Sequence, residues 1–252
     1  VWGGQVGMFS LSDEDLRYYE LKVTRGPRQM TAMAEHEELE EGFSLSVLDT
    51  GSGAKMADKI LCACGERFLQ KKIFSSIFLT GKGFARTDWA PEFMKQICNR
   101  RRVFVETALF AKGAAMKAEE YLNESDSPSF VCLCEGKLWS TVSMEVMKRD
   151  AKSELVLASA GESWYEARSV VEVIPDGERE ITFTITPQQE PKKKRQVKVT
   201  LDGFPERPNK TTKIRVAVGF LDEKTMVVKL TDQGFGELFP KTDAVVRQEV
   251  TL

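Results

Sequence analysis

Several short stretches of this 252-residue chain carry residue types that could do chemistry. Asp49-Thr50-Gly51-Ser52, preceded by apolar Val47-Leu48, matches the aspartic-protease signature letter for letter. That reaction needs two carboxylates sharing one proton, and the chain has no second Asp-Thr-Gly. An Asp or Thr before a helix is an ordinary N-cap, and the cap is the reading favoured here. Thr80-Gly81-Lys82-Gly83 follows the apolar run Ile77-Phe78-Leu79. A strand feeding a glycine turn lets the backbone lie close to a phosphate or a planar ligand, and it also serves any tight turn. A Gly-Ala-Ala turn is expected at Gly113–Ala115, so two turns on successive elements suggest a nucleotide cleft.

Other chemical residues point to blander roles. His36 is the only histidine, flanked by Glu35, Glu37 and Glu38, and no G-x-S-x-G accompanies it. Its acidic neighbours suggest a solvated turn at a strand end. Cys62/Cys64 and Cys132/Cys134 are spaced more tightly than the usual zinc pair, and reduced thiols are expected. Pro191-Lys192-Lys193-Lys194-Arg195 looks like an import signal or a solvated hairpin tip that discourages edge pairing. Asn99-Arg100-Arg101-Arg102 fits a helix end, where cations offset the macrodipole.

The elements that must position these residues follow from periodicity. Val6–Leu11, Leu16–Thr24 and Arg28–Glu35 read as a three-stranded meander. Between Ala54 and Lys72, apolar Met56, Ile60, Leu61, Cys64, Phe68 and Leu69 fall at helical spacing. A strand at 76–80, a helix over Ala90–Asn99, a strand at 102–105 and a helix over Gly113–Leu122 follow. The order β-β-β-α-β-α-β-α suggests a mixed sheet covered by helices. Polar, proline-bearing 124–129 reads as a linker between residues 1–123 and 130–252. Beyond it, strand-like runs at Phe130–Cys134, Leu138–Met147, Glu154–Ser159, Ser169–Ile174, Glu180–Thr186, Gln196–Leu201, Lys213–Phe220 and Thr225–Thr231 argue for an antiparallel β-sandwich. The fold class is therefore α+β.

Composition bounds the function. Apolar residues make up 42% and charged residues 29%, and the formal net charge is −2. No global field draws the chain to nucleic acid or an anionic membrane. No apolar run approaches a transmembrane span, and no signal peptide is visible, so a cytoplasmic location is expected. The opening Val1-Trp2-Gly3-Gly4 reads like the start of a fragment.

Taken together, these residues resemble the actin/DnaK-type chaperone superfamily. Val6–Leu11 with Asp13 sits where that family has its second phosphate loop, and Asp49-Thr50-Gly51-Ser52-Gly53 resembles the turn after the third strand. Ile77–Gly83 resembles the adenosine-contacting strand and turn, and Leu109–Ala115 resembles the glycine-alanine helix that closes the second ATPase lobe. Downstream, Leu201–Pro208, Lys213–Val216, Asp222–Val228 and Asp232–Gly236 follow the order of the DnaK-type peptide-binding β domain. The departures are specific. The first lobe and the helical lid are missing, and the phosphate loop reads Ser10-Leu11-Ser12-Asp13-Glu14-Asp15, whose acids repel phosphate. The pattern looks like a trimmed bacterial branch of the family.

The resemblance implies Ser10, Asp13, Gly81, Lys82 and Gly83 as nucleotide-facing residues. ATP or ADP is expected only in a longer protein that supplies the first lobe. No catalytic residue or metal is implied for this fragment, which should not turn over ATP. It also implies Met144, Val171 and Ile174 as the pocket for an extended hydrophobic peptide or client protein. A pseudo-ATPase scaffold or assembly protein without peptide clients is the alternative, as is an active ATPase at full length.

Overall fold

Alternating burial builds the first sheet. In β1 (Gln5–Ser12), Gly7, Phe9 and Leu11 are buried while their neighbours stay half-exposed, the period-2 pattern of a strand with one covered face. The computed structural model describes residues 5–13, 15–25, 30–122, 130–177 and 179–252. The expected linker at 124–129 and the opening Val1–Gly4 lie outside them. The chain divides into two compact units, Val1–Cys132 and Leu133–Leu252.

The first unit runs through β1, β2 (Asp15–Arg25), β3 (Met30–Glu38), α1 (Gly51–Leu69), β4 (Phe74–Thr80), α2 (Pro91–Ile97), β5 (Arg102–Val105) and α3 (Leu109–Leu122). With β6 (Phe130–Leu133) these strands form one sheet in the order β5-β4-β1-β2-β3-β6. β1, β2 and β3 pair antiparallel, whereas β4 is parallel to β1, and β5 to β4. One face is closed by α1 and α2, whose Leu61, Phe68, Phe93 and Ile97 share a core with Phe9, Leu11, Ile77 and Leu79. On the other face the register aligns Phe104, Phe78, Met8, Tyr19 and His36 in one row across five strands. Phe78 stacks on Phe104 and Tyr19 on His36, and Phe110 of α3 meets Tyr19 at 5.5 Å.

Several expectations change here. His36 lies inside β3 against Tyr19, not in a turn, because β3 continues through the acidic run to Glu38. Gly113-Ala114-Ala115 forms no turn: α3 starts at Leu109 and runs through all three, which have helix-compatible neighbours on both sides. Phe130–Leu133, expected among the strands of the β half, becomes the edge of the six-stranded sheet. Thr50 caps α1, its Oγ1 accepting from the Gly53 N–H at 3.1 Å, so the Asp-Thr-Gly-Ser run is used as a helix start.

The second unit holds β7 (Ser140–Lys148), β8 (Ala151–Ala158), β9 (Ser169–Val173), β10 (Glu180–Pro187), β11 (Arg195–Thr200), β12 (Ile214–Phe220), β13 (Thr225–Asp232) and β14 (Val245–Thr251). They form two antiparallel four-stranded sheets, β11-β10-β7-β8 and β14-β13-β12-β9. Val142, Ile181, Phe183 and Val199 from one sheet and Val216, Met226, Val228 and Leu230 from the other belong to one buried cluster. β14 was not expected, since Arg247, Gln248 and Glu249 interrupt its apolar pattern. The Lys-rich run sits in the exposed β10–β11 connection as a short 3-10 turn, Pro191–Lys193.

Candidate functional site

Because β1 and β4 are parallel neighbours with Ser10 opposite Thr80, the chain leaves both strands at the same edge of the sheet. In open α/β sheets ligands sit outside the carboxyl ends of the strands, so this edge is the candidate site. Asp13 and Gly81–Lys82 are the residues found there. Ser10 lies half-buried within β1, opposite Arg17 on its other side.

Local packing accounts for both glycines. Gly81 has φ 92° and ψ 167°, a conformation open essentially to glycine alone. A Cβ at this position would lie 2.7 Å from the Ser12 Oγ and closer still to the Leu11 carbonyl oxygen. A Cβ on Gly83 would fall 2.5 Å from the Leu11 side chain and 2.9 Å from Leu45 Cδ2. Leu45 N–H donates to the Asp13 carbonyl at 2.9 Å, and Trp89 Nε1 donates to the Gly83 carbonyl at 3.1 Å. The loop is thus pressed onto its own chain on several sides.

Charge at this edge is satisfied internally. Lys82 Nζ lies 3.5 Å from both carboxylate oxygens of Asp13, with the two side chains 75% and 74% exposed. Asp15 pairs with Arg17 at 3.0 Å. After β5, Glu106 bonds Lys112 and accepts from the Ala108 N–H at 3.2 Å. The Lys112 hydrogen bond is the main cause that holds the Glu106 carboxyl below the usual range. Glu106 escaped the sequence reading; its only signal was an acid placed directly after a parallel strand.

Among the described residues no cluster of three or more His, Cys, Asp or Glu side chains could hold a metal. No disulfide joins any of the five cysteines. Burial, reinforced by nearby acids, pushes the Cys62 and Cys64 thiols up to about 11, away from a reactive thiolate.

In the second unit, Met144 is 5% exposed within the core and Val171 is half-buried against it. Ile174, 47% exposed just past β9, presents its side chain to solvent. The most densely bonded charge of this unit is Asp232. Its side chain is 0% exposed and pairs with Arg207, 5% exposed, through two hydrogen bonds of 2.8 Å. It also accepts from Gly234 N–H at 3.0 Å, Thr242 N–H at 2.9 Å and Thr242 Oγ1 at 2.8 Å. Burial alone would raise this carboxyl, but Arg207 and the donors of Gly234 and Thr242 overcome it and hold it at about 2. With every oxygen satisfied, Asp232 is a staple for the loop after β13.

Comparison with known proteins adds family membership. Residues 1–135 match the family of unknown function (DUF5716) C-terminal, and residues 137–252 match the domain of unknown function DUF8552. No curated protein matches the chain. Among solved structures, the Aquifex aeolicus member of the Ppx/GppA protein family matches with 12% identity and a TM-score of 0.30, covering 78% of this chain and 51% of that one. The chain spans about half the length of that structure, and a likeness this low assigns neither fold nor function.

Proposed function

Proceeding from a chain that belongs to the DUF5716 family, whose C-terminal model matches residues 1–135, we propose that it is a nucleotide-silent scaffold that engages other proteins. In this reading an actin/DnaK-type second lobe is joined to a DnaK-type β-sandwich, and neither performs catalysis. The carrying observation is that the edge after β1 and β4 is packed and paired on its own chain. Gly81 and Gly83 are used up in packing on Leu11 and Leu45, and Lys82 is paired with Asp13. The succession of a meander and two parallel crossovers, which is the order the resemblance implies for such a lobe, supports the lobe assignment. The two antiparallel sheets with one shared cluster support the sandwich. No helix among the described residues is long and apolar enough to cross a membrane, and a cytoplasmic protein partner fits this reading.

Isothermal titration of the chain with ATP and ADP, with and without magnesium, tests the proposal. No saturable heat is expected; micromolar binding would overturn it. ATP turnover on adding an actin-type first ATPase lobe would favour an active ATPase instead.

A second reading, in which the β domain holds an extended hydrophobic peptide, draws on the free side chain of Ile174 at the end of β9. A panel of extended hydrophobic peptides that binds wild type and loses affinity in Ile174→Glu would favour it over the scaffold.

A further inference from the structure

We propose that Asp13 acts as a built-in anion, its carboxylate occupying beside Lys82 the place a phosphoryl oxyanion would take. The inference rests on the nucleotide-silent reading of this same edge and gives it a cause. The parallel pairing of β1 with β4 sets the residues after Ser12 next to those after Thr80. Lys82 stands between two glycines whose backbones are pressed against Leu11, so its own backbone has little freedom. Its ammonium is then carried to the tip of the β1–β2 turn, equidistant at 3.5 Å from both Asp13 oxygens. A cation straddling two oxygens in this way makes the contact it would make with a phosphate.

The Asp13 backbone supports the assignment. Its φ of 49° lies in the left-handed region, which Asp and Asn enter more readily than most residues. The Asp13 carbonyl is in turn fixed by the Leu45 N–H, so the backbone that carries the carboxylate is held in place. Asp15, the neighbouring acid on β2, is already paired with Arg17 and does not compete for Lys82. Removing the Asp13 charge leaves a cation between two glycines at the carboxyl edge of parallel strands. The ligand class that fits such a site is a polyphosphate, free or as part of a nucleoside triphosphate.

The test uses the full chain, with inorganic tripolyphosphate and ATP as probes, titrated at low ionic strength and again at physiological salt. Asp13→Asn removes the charge in a residue that tolerates the same φ, and Asp13→Gly repeats the change with no side chain at all. Both variants should bind the two probes more tightly than wild type, by up to about fivefold, the upper end of what an exposed ion pair withholds. The gain should shrink with salt and vanish in Asp13→Asn/Lys82→Ala. Wild-type thermal stability in each variant shows that the fold is kept. A silent wild type with no gain in either Asp13 variant, or a gain that survives loss of Lys82, overturns the built-in anion alone. Tight ATP binding by the wild-type chain overturns the nucleotide-silent reading itself.

Discussion

Asp58, in the middle of α1, caps a different helix: its carboxylate accepts the backbone N–H groups of Glu92 at 3.1 Å and Phe93 at 2.9 Å, at the start of α2. The position before α2 is Ala90, which offers no side-chain cap, and Pro91 opens the helix without an N–H of its own. Asp58 is therefore the group that satisfies the first turn of α2 and fixes the angle between the two helices. Asp58→Ala leaves two amides without partners and should cost about 2 kcal/mol of unfolding free energy. Urea denaturation followed by circular dichroism measures it. A loss within the scatter of a surface substitution would mean that water replaces the carboxylate.

The Arg207–Asp232 pair makes an acid-sensitive prediction. The folded carboxyl is held at about 2 against an ordinary 3.8, so it contributes stability that is fully present above the ordinary value. That contribution, on the order of 2 kcal/mol, is lost as pH falls from 4 towards 2. Asp232→Asn should remove this acid limb. It should also cost about 3 kcal/mol at neutral pH, because Arg207 is left buried and half-paired. Melting temperature measured across pH 2 to 7 for both proteins separates the two effects. An unchanged slope below pH 4 in the variant would assign the acid sensitivity to other carboxylates.

The order of strands and helices in the first unit was legible because its signals are local. Ile77-Phe78-Leu79 is apolar on both faces, as a parallel strand inside a sheet requires. The α1 apolar positions repeat at helical spacing. What escaped the sequence depended on partners distant along the chain. Asp58 reads as one more polar residue on a helix until α2 is seen to start against it. Phe130–Leu133 has strand character, but nothing local says which sheet it joins. The glycines of Thr80-Gly81-Lys82-Gly83 were legible as a special turn. That they answer to Leu11 and Leu45 was not, because those residues lie far upstream: Leu11 meets the turn through the β1–β4 pairing, and Leu45 lies on a separate turn that bonds Asp13.

Gly81 tests that last point directly. Replacing it with alanine forces a side chain into a φ of 92° and onto the Leu11 carbonyl and Ser12 hydroxyl. A cost of about 2 kcal/mol is expected with no ligand present. Gly113→Ala, in the exposed middle of α3 where nothing lies near the new methyl, should stabilise by a few tenths to about 1 kcal/mol instead. Thermal melts of the two variants side by side decide it. Equal stability of Gly81→Ala and wild type would show that the turn relaxes, and would return this glycine to a ligand-facing role.

Met144 and Ile174 respond oppositely to a charge, and that contrast decides how the β domain can be probed. Met144 lies in β7 within the shared cluster of the two sheets, so Met144→Glu places a carboxylate among apolar side chains. The group must either stay protonated or break the packing, and a loss of about 3 kcal/mol or more is expected. Ile174, at 47% exposure, should accept glutamate within about 0.5 kcal/mol. Peptide affinity lost in Met144→Glu alone would then report unfolding, whereas affinity lost in a stably folded Ile174→Glu would report a binding surface. Guanidinium denaturation of each variant, run beside the peptide titration, distinguishes them. An Ile174→Glu chain that unfolds as readily as Met144→Glu would move Ile174 from the surface into the core.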